Sequence, residues 1–429
     1  MTEEKIWSAR FDKPLNEQMK YFNQSILFDY RLAKWDIIAS QAHAKMLAKV
    51  GLLTDVELQK ILNGLNSILA EVKEETFDFT IDNEDVHYAV QNALIKKIGD
   101  AGKKIHTARS RNDQVATDLR LWTREHIDIT YDLLKKLIDT LKTESNKYQN
   151  TIMCGYTHLQ KAIPTTYGKY LDAYCEMFEE DSQRLADARK RVNQSPLGAC
   201  SICGTTLPQD REFTAKELGF DGILKNTMNA VSNRDFAIEA TNVLSIIAMH
   251  FSRLAEDLII YSTEEFGYLT LDDAFCTGSS LMPNKKNPDL LELVRGKTGR
   301  VFASQFALLT TLKGIPMTYN KDLQEDKKNL FEAFDIVEEI ISVMTAFIPS
   351  IKVNADKMKL AVKNSYSYAT YLLEYLITKG IAMRDAHETI SSLVKYCEQN
   401  KKYFQDLSLE EFRQFSQLFD ADIFNIFIL

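Results

Sequence analysis

Residues 235–262 read DFAIEATNVLSIIAMHFSRLAEDLIIYS, and this stretch decides the fold class. Its apolar side chains recur every three or four residues, which is the period of one face of an α-helix. These side chains are Phe236, Ala240, Val243, Ile247, Phe251, Leu254, Leu258 and Tyr261. The same period returns over 115–141 and, less regularly, over 171–192. We therefore predict an all-α protein with a central bundle of long helices.

The scarcity of glycine and proline agrees with long helices. The chain has 16 glycines and 8 prolines in 429 residues, under 6% in all, against roughly 12% in average proteins. Loop-rich and Greek-key β folds are therefore excluded. Only Phe77–Ile81 offers a short stretch of strand-like alternation. Six of the eight prolines lie between residues 164 and 316, so the interruptions concentrate in a few segments.

Charge and cysteine usage limit the function class. The formal net charge of −8 provides no basic surplus for a polyanion, so we expect no nucleic-acid partner. The N-terminus MTEEKIWSARFDKP has no apolar core of a signal peptide, and the uncharged stretch 192–209 is broken by glycine and proline. Six scattered cysteines fit reduced thiols, and Cys200 and Cys203 are expected to be buried in a packed loop. We expect a cytoplasmic protein that binds no membrane.

Two polar segments precede or follow the helix predicted near 114–150. The first, KKIHTARSRNDQ (103–114), places Arg109 and Arg111 beside Ser110 or Asn112, either of which can cap the helix and complete an anion site. A cap with a solvated charge cluster is the alternative. The second, GYTHLQ (155–160), holds His158, which is either a general acid/base or a structural histidine.

Two later segments have the composition of a carboxylate site. In TGSSLMPNKKNPDLLE (277–292), Asn287 and Pro288 are predicted to be the N-cap and first residue of a helix ending near Leu312. Lys285 then lies at the positive end of that helix, where it would stabilise a carboxylate that gains charge. Glu292 could orient a histidine. The segment 319–327 provides polar side chains that suit substrate binding or an ordinary charged helix start.

Taken together, the segments resemble a known family. The loop GSSLMPNKKNP (278–288) is similar to the signature loop of the fumarase/aspartase superfamily, whose members eliminate fumarate from succinyl compounds. Five further segments resemble the argininosuccinate lyases in particular, in order along nearly the whole chain. They are NQSILFDYRLAKWDI (23–37), HTARSRNDQVATDL (106–119), GYTHLQKAIPTTYGKYL (155–171), PLGACSICGTTLPQDRE (196–212) and TYNKDLQEDK (318–327).

The resemblance implies a three-domain helical subunit, a homotetramer and a reaction without metal or organic cofactor. The domains would be an N-terminal helical domain (1–108), a central tetramerising bundle (109–357) and a small C-terminal helical domain (358–429). The implied reaction is reversible cleavage of argininosuccinate to L-arginine and fumarate, in arginine biosynthesis or the urea cycle. The small-molecule substrate would be bound in sites shared between subunits.

Residue roles follow from the resemblance by motif position. Ser279 would remove the proton, and Lys285 and Asn287 would hold the carboxylate as it becomes an aci-carboxylate. His158, paired with Glu292, would be a general acid or a charge-relay element. Substrate-binding residues would be Ser25, Arg111, Asn112, Thr157, Tyr319, Gln324 and Lys327.

Helix length gives an independent reason for shared sites. A single helix over 114–150 would be about 55 Å long at 1.5 Å per residue. Arg111 at its start and His158 beyond its end could not then line one pocket of the same chain. Arg111 and His158 could line one pocket only if they came from antiparallel neighbouring subunits.

Some positions depart from the family pattern, and three rival functions stay open. Trp7-Ser8-Ala9-Arg10-Phe11 stands where Trp-Gly-Gly-Arg-Phe is usual, and Gln91 stands where an acid is expected. The nearest enzyme rival is adenylosuccinate lyase, another succinyl-compound lyase. A catalytically silent, crystallin-like structural homologue is the rival of a different class. A helical scaffold for partner binding is the third, and it leaves the loop at 279–283 unexplained.

Overall fold

The computed structural model describes residues 10–427, and most of them are helical. The departures at Trp7, Ser8 and Ala9 therefore lie outside the described residues. The N-terminal helices are α1 (Glu17–Asn23), α2 (Ile26–Asp29), α3 (Ala33–Lys49), α4 (Asp55–Lys73), α5 (Val86–Ile98) and α6 (Asp100–Lys103).

Five long helices and two short ones follow. They are α7 (Arg111–Lys147), α8 (Tyr167–Val192), α9 (Arg211–Glu217), α10 (Thr227–Ser232), α11 (Asp235–Ser262), α12 (Asp289–Leu312) and α13 (Asp326–Phe347). The C-terminal helices are α14 (Ala355–Lys363), α15 (Ala369–Thr378), α16 (Met383–Asn400) and α17 (Leu409–Arg413). The predicted all-α class is confirmed. No helix among residues 10–427 has the length and apolar composition needed to span a membrane.

Within residues 10–427, eight short strands pair into four two-stranded sheets. They are β1 (Ile152–Thr157), β2 (Gln160–Thr166), β3 (Gln194–Ser195), β4 (Gly222–Ile223), β5 (Leu269–Thr270), β6 (Thr277–Gly278), β7 (Lys286–Asn287) and β8 (Lys352–Val353). The pairs β1–β2, β5–β8 and β6–β7 are antiparallel, whereas β3–β4 is parallel. The suggestion of a strand over Phe77–Ile81 is wrong, because that segment is irregular.

The chain divides into two compact units. Unit 1 comprises the segment up to Asp132, Ser182–Ile246 and Gly299–Glu338. Unit 2 comprises Leu133–Asp181, Ile247–Thr298 and the segment from Glu339. A core in unit 1 packs α3 and α7 against α9, whereas the α15–α17 region of unit 2 has an aromatic-rich core of its own. The three-domain division stays a prediction.

Side-chain caps explain where the helices near the site begin. Asp85 accepts a hydrogen bond from the Tyr88 amide (2.9 Å) at the start of α5. At the start of α7, Ser110 Oγ accepts from the Asn112 amide (3.3 Å), while Asp113 accepts from the Ser110 amide (3.0 Å). Ser110 is thus the cap, and the predicted long helix is confirmed as the 37 residues of α7.

Two local predictions need correction. Cys200 is buried, but Cys203 is exposed, so the expectation of two buried thiols is wrong for Cys203. Helix α12 begins at Asp289, and the Pro288 carbonyl accepts from the Glu292 amide (3.1 Å). Asn287 belongs instead to β7, because it pairs with Thr277, so it is not the N-cap.

Candidate active site

One cavity of unit 1 gathers five of the predicted binding residues. It has a volume of about 330 Å³ and we call it the Arg111 pocket. The five predicted residues in its wall are Ser25, Arg111, Tyr319, Gln324 and Lys327. Because α2, α7 and the segment before α13 each contribute, the pocket is assembled from parts of the chain that are far apart in sequence.

Arg111 is the first residue of α7 and is held by an acid and a ring. Its Nη1 donates to Asp85 Oδ2 at 2.5 Å, and its guanidinium lies 4.1 Å from the centre of the Tyr88 ring. The Asp85 carboxylate raises the pKa of Arg111 against the opposing effect of burial. Arg109, the other predicted anion-site arginine, is buried and donates to Ser40 Oγ (2.9 Å), so it does not line the pocket.

Lys327 reaches the pocket from a buried ion pair. Its Nζ donates to Asp326 Oδ1 (2.9 Å), and Asp326 also accepts from Arg234. All three side chains are buried. Burial alone would raise the pKa of Asp326, but the charges of Lys327 and Arg234 outweigh it and lower that pKa. The ammonium is therefore fixed in place before any ligand arrives.

Ser25 and Gln324 are also positioned by hydrogen bonds. Ser25 Oγ donates to Asp29 Oδ2 at 2.5 Å, and Gln324 Nε2 donates to the Asn23 carbonyl at 3.2 Å. Burial, followed by the charge of Asp85, raises the pKa of Asp29 to about 6. This pocket carboxyl therefore changes charge close to neutral pH.

A buried acid pair supports one wall of the pocket. His87 Nδ1 lies 2.8 Å from Asp36 Oδ1 and 3.4 Å from Asp118 Oδ2. Burial and the neighbouring Asp36 raise the pKa of Asp118 well above its usual value. The pKa of Asp36 is lowered, because hydrogen bonding and charge from His87 outweigh its burial. The three donors are close enough to ligate a metal ion, but two acids that share one proton account for the same arrangement.

The segment 277–288 forms an exposed loop of unit 2, which we call the Ser279 loop. It is a short hairpin, because β6 and β7 pair at its base. Ser279 Oγ accepts from the amides of Leu281 (3.2 Å) and Met282 (3.0 Å). Two N–H donors aimed at one hydroxyl oxygen stabilise negative charge on it. Lys285, Lys286 and Glu292 are exposed.

His158 and Leu159 form the two-residue turn between β1 and β2, here called the His158 turn. Their φ angles are 54° and 56°, in the left-handed region that residues other than glycine rarely adopt. Thr157 pairs with Gln160 across the turn, and all four residues are exposed. A histidine at a strained, exposed turn is available to a ligand or to another chain.

The predicted site residues therefore fall into three groups within one chain. Five line the Arg111 pocket, Thr157 and His158 lie at the His158 turn, and four belong to the Ser279 loop or the start of α12. Asn112 is outside the pocket wall, because its Nδ2 donates to the Ser201 carbonyl (3.1 Å). Within residues 10–427, no hydrogen bond or ion pair joins His158 to Glu292.

Comparisons with known proteins identify the family of the chain. A family model described as lyase matches residues 9–303, and one described as argininosuccinate lyase C-terminal matches residues 366–429. An argininosuccinate lyase of Syntrophotalea carbinolica is 46% identical over 99% of this chain and 92% of its own. One of Caldanaerobacter subterraneus is 50% identical over 98% and 95%. The chain belongs to the argininosuccinate lyase family.

Solved structures of other lyases have the same fold as this chain. A variant of EDDS lyase with bound fumarate has a TM-score of 0.81 and 26% identity, covering 91% of this chain and 77% of that one. The class II fumarase of Schistosoma mansoni has a TM-score of 0.80 over 98% and 92% of the two chains. At 16% identity, this second likeness shows the fold alone.

Sequence reasoning missed several pocket residues of this argininosuccinate lyase family chain. Asp29, Asp85, His87 and His106 all line the Arg111 pocket, as does Gln91, which replaces an expected acid. Burial lowers the pKa of His106 to about 4, with further lowering by Arg109 and Arg111. The run Glu84-Asp85-Val86-His87 could have predicted some of them, because it places two acids and a histidine at the start of a helix.

Proposed function

We propose that this chain is a carbon–nitrogen lyase that cleaves argininosuccinate reversibly to L-arginine and fumarate. One observation carries the proposal: Arg111, Lys327 and three predicted polar partners meet in one pocket of a chain from this family. The pocket offers fixed cations for carboxylates and a neighbouring set of acids for a guanidinium or an amine. Such a division suits a substrate that has both kinds of group.

The chemistry requires a strong stabilisation of negative charge. The proton that leaves lies α to a carboxylate, so it is acidic only when the developing dianion is neutralised. Ser279 removes this proton as an alkoxide, which the two amides that face its Oγ stabilise, and becomes the neutral hydroxyl. Lys285 and Asn287 hold the resulting aci-carboxylate, and the guanidine then leaves with a proton that His158, oriented by Glu292, supplies.

Binding is divided between the remaining residues. Arg111, Asn112 and Thr157 bind the succinyl carboxylates. The rest of the substrate is held by Ser25, Tyr319, Gln324 and Lys327. This assignment is supported by the pocket wall for all of these residues except Asn112 and Thr157. Asn112 and Thr157 contact the substrate in a site that a neighbouring subunit completes.

The active site is shared between the chains of a homotetramer. Helix α7 has 37 residues, so Arg111 at its first position lies about 55 Å from its other end. Helix α12 also has an exposed apolar face that suits a second copy, since Leu293 and Phe306 are 59% and 71% exposed. A small biosynthetic enzyme of this kind belongs in the cytoplasm, where arginine biosynthesis or the urea cycle would use it.

Substrate identity is tested by the absorbance of fumarate. Purified protein is given argininosuccinate and then adenylosuccinate, at matched concentrations. We expect fumarate release with the first only. Release with adenylosuccinate alone would favour the rival lyase, and silence with both would favour the crystallin-like structural homologue.

Shared sites are tested by mixing two inactive variants. His158→Asn and Ser279→Ala subunits are denatured together, refolded and assayed beside each variant refolded alone. Hybrid oligomers with sites built from several chains regain activity, because some sites receive both intact residues. If the mixture stays as inactive as its parents while forming mixed oligomers, each site belongs to one chain.

A further inference from the structure

A second cavity, in unit 2, has His158 in its wall, but none of its other lining residues has a part in the assigned reaction. Its volume is about 810 Å³, and we call it the tyrosine cleft. The rings of Tyr156, Tyr170, Tyr261 and Phe266 form much of its wall. A cleft of this size is large enough for a small organic ligand.

One carboxylate in this cleft lacks a cation. Asp257 Oδ2 accepts hydrogen bonds from the hydroxyls of Tyr170 (3.1 Å) and Tyr174 (2.8 Å). Its Oδ1 has no hydrogen-bond partner, and no lysine, arginine or histidine pairs with it, within residues 10–427. Because the side chain is half-buried, its negative charge is only partly screened by water.

The aromatic wall suits a planar cation. The ring centres of Tyr170 and Tyr261 are 5.5 Å apart, and those of Tyr156 and Phe266 are 5.4 Å apart. Ring faces attract ammonium and, more often, guanidinium groups, and the attraction strengthens where water is excluded. A carboxylate with a free oxygen beside such rings selects a guanidinium over a neutral group.

A cation without a carboxylate partner lines the same cleft. Lys169, near the start of α8, is exposed, and its ammonium makes no ion pair within the described chain. The cleft therefore presents one free negative group and one free positive group. A ligand that is complementary to both carries a cation at one end and a carboxylate at the other.

We propose that the tyrosine cleft binds a cationic α-amino acid of the arginine type. The guanidinium pairs with Asp257 against the rings, and the carboxylate faces Lys169. Because His158 and Leu159 also line the cleft, an occupant contacts the His158 turn. On the proposed function, whose product is L-arginine, the occupied cleft slows turnover. This last step rests on the proposed function, whereas binding does not.

Binding is measured by equilibrium dialysis of labelled L-arginine against the intact oligomer. Because the Arg111 pocket is also expected to hold arginine, we expect two classes of site per chain. Asp257→Asn weakens one class by about tenfold or more, since a charge-assisted pair is lost. Glu256→Gln, which changes an exposed carboxylate outside the cleft wall, leaves both classes intact.

Two further ligands test the geometry. Citrulline, which replaces the guanidinium with a neutral ureido group, fails to compete for the Asp257-dependent class. Agmatine, which lacks the carboxylate, competes weakly, and Lys169→Met lowers arginine binding without lowering agmatine binding. Lys169 is exposed, so this variant keeps the proposal testable even if Asp257→Asn folds poorly.

Inhibition kinetics connect the cleft with turnover. Arginine should inhibit wild type through a competitive and a non-competitive component, and Asp257→Asn should lose only the second at unchanged basal kcat. Equal arginine binding by wild type and Asp257→Asn overturns the proposal. If the protein does not cleave argininosuccinate, the dialysis result still stands or falls on its own.

Discussion

The Arg111 pocket and the Ser279 loop handle charge in opposite ways. In the pocket, each cation has a partner in the same chain: Arg111 pairs with Asp85 at 2.5 Å and Lys327 with Asp326 at 2.9 Å. In the loop, Lys286 pairs with Asp273, but Lys285, the lysine assigned to the reaction, is exposed and has no ion-pair partner within residues 10–427. The single chain therefore positions the cations of its binding pocket, but it does not position Lys285 in the Ser279 loop.

The difference has a physical reason. Fixed, buried charges hold a substrate well because little reorganisation is needed when it binds. A serine base and an aci-carboxylate also need a dry environment, which an exposed loop does not have. On the proposed function, a neighbouring subunit and the substrate itself provide that environment. Substitutions in the two regions should therefore differ in what they damage.

The largest effect is expected at Ser279. Ser279→Ala removes the proposed base and should lower kcat by about 10³-fold or more. The free energy of unfolding should stay within about 0.5 kcal/mol of wild type, because Ser279 lies in an exposed loop. Initial rates of fumarate release and denaturant unfolding measure the two quantities.

The adjacent serine provides the control for that experiment. Ser280 is exposed in the same loop, so Ser280→Ala should keep most of the activity. Equal losses of activity in Ser279→Ala and Ser280→Ala would mean that the loop conformation matters and that neither hydroxyl is the base.

Lys327 should show the reverse pattern. Lys327→Met removes one partner of a buried ion pair and should cost about 3 kcal/mol of unfolding free energy, because Asp326 keeps only Arg234. Lys285→Met, in the exposed loop, should leave stability unchanged while lowering kcat. Chemical denaturation of both variants makes the comparison. Matched stabilities for the two lysine variants would contradict the contrast between pocket and loop.

The sequence predicts the first of these regions less completely than the second. The Ser279 loop is contiguous, so a local motif contains it. The Arg111 pocket joins Asp29, Asp85 and His87 to Arg111 across long sequence separations, and spacing along the chain does not report such contacts. The resemblance to a family predicted Arg111 and Lys327, but only the structure identified the acids that pair with them.

Long helices were predictable, whereas the hairpin before α8 was not. The period of apolar residues over 115–141 follows α7, which is buried on all sides over residues 113–123 and on one face further on, at Leu134, Leu137 and Leu141, although Ile129 on the same period is 39% exposed. In β1 the register shifts between Cys154 and Tyr156, which breaks the period-two pattern that would have marked a strand. Gly155 predicted a turn in this segment, but the left-handed pair His158 and Leu159 lacks the usual glycine, so the two-residue hairpin loop itself was not predictable.

Asp29 tests whether burying an ionised carboxylate in the Arg111 pocket lowers the stability of the folded protein. Its pKa is raised to about 6, so folding favours the protonated form. The resulting stability is fully present below pH of about 4 and is lost as pH rises through about 6. Asp29→Asn should therefore be more stable than wild type at pH 8, by up to about 3 kcal/mol.

The pH dependence of that difference is the decisive measurement. The advantage of Asp29→Asn should shrink between pH 8 and pH 5 in denaturant titrations. Asp322→Asn, which removes an exposed carboxylate, should show no such trend. A difference between Asp29→Asn and wild type that is constant with pH would mean that Asp29 is ionised throughout, as in an ordinary surface acid.

The smallest effect is expected at the His158 turn, where strain can be relieved without touching the proposed acid. Leu159 has a φ of 56° and its side chain is 66% exposed. Leu159→Gly removes a left-handed penalty of about 1–2 kcal/mol, partly offset by greater freedom of the unfolded chain, so a gain of about 0.5 kcal/mol is expected. Gln160→Gly, one residue on in β2, should instead lose stability, because it has no such strain to relieve. If both glycine variants are destabilised, contacts of the Leu159 side chain stabilise the His158 turn. The turn would then be held in place within the single chain, despite its exposure.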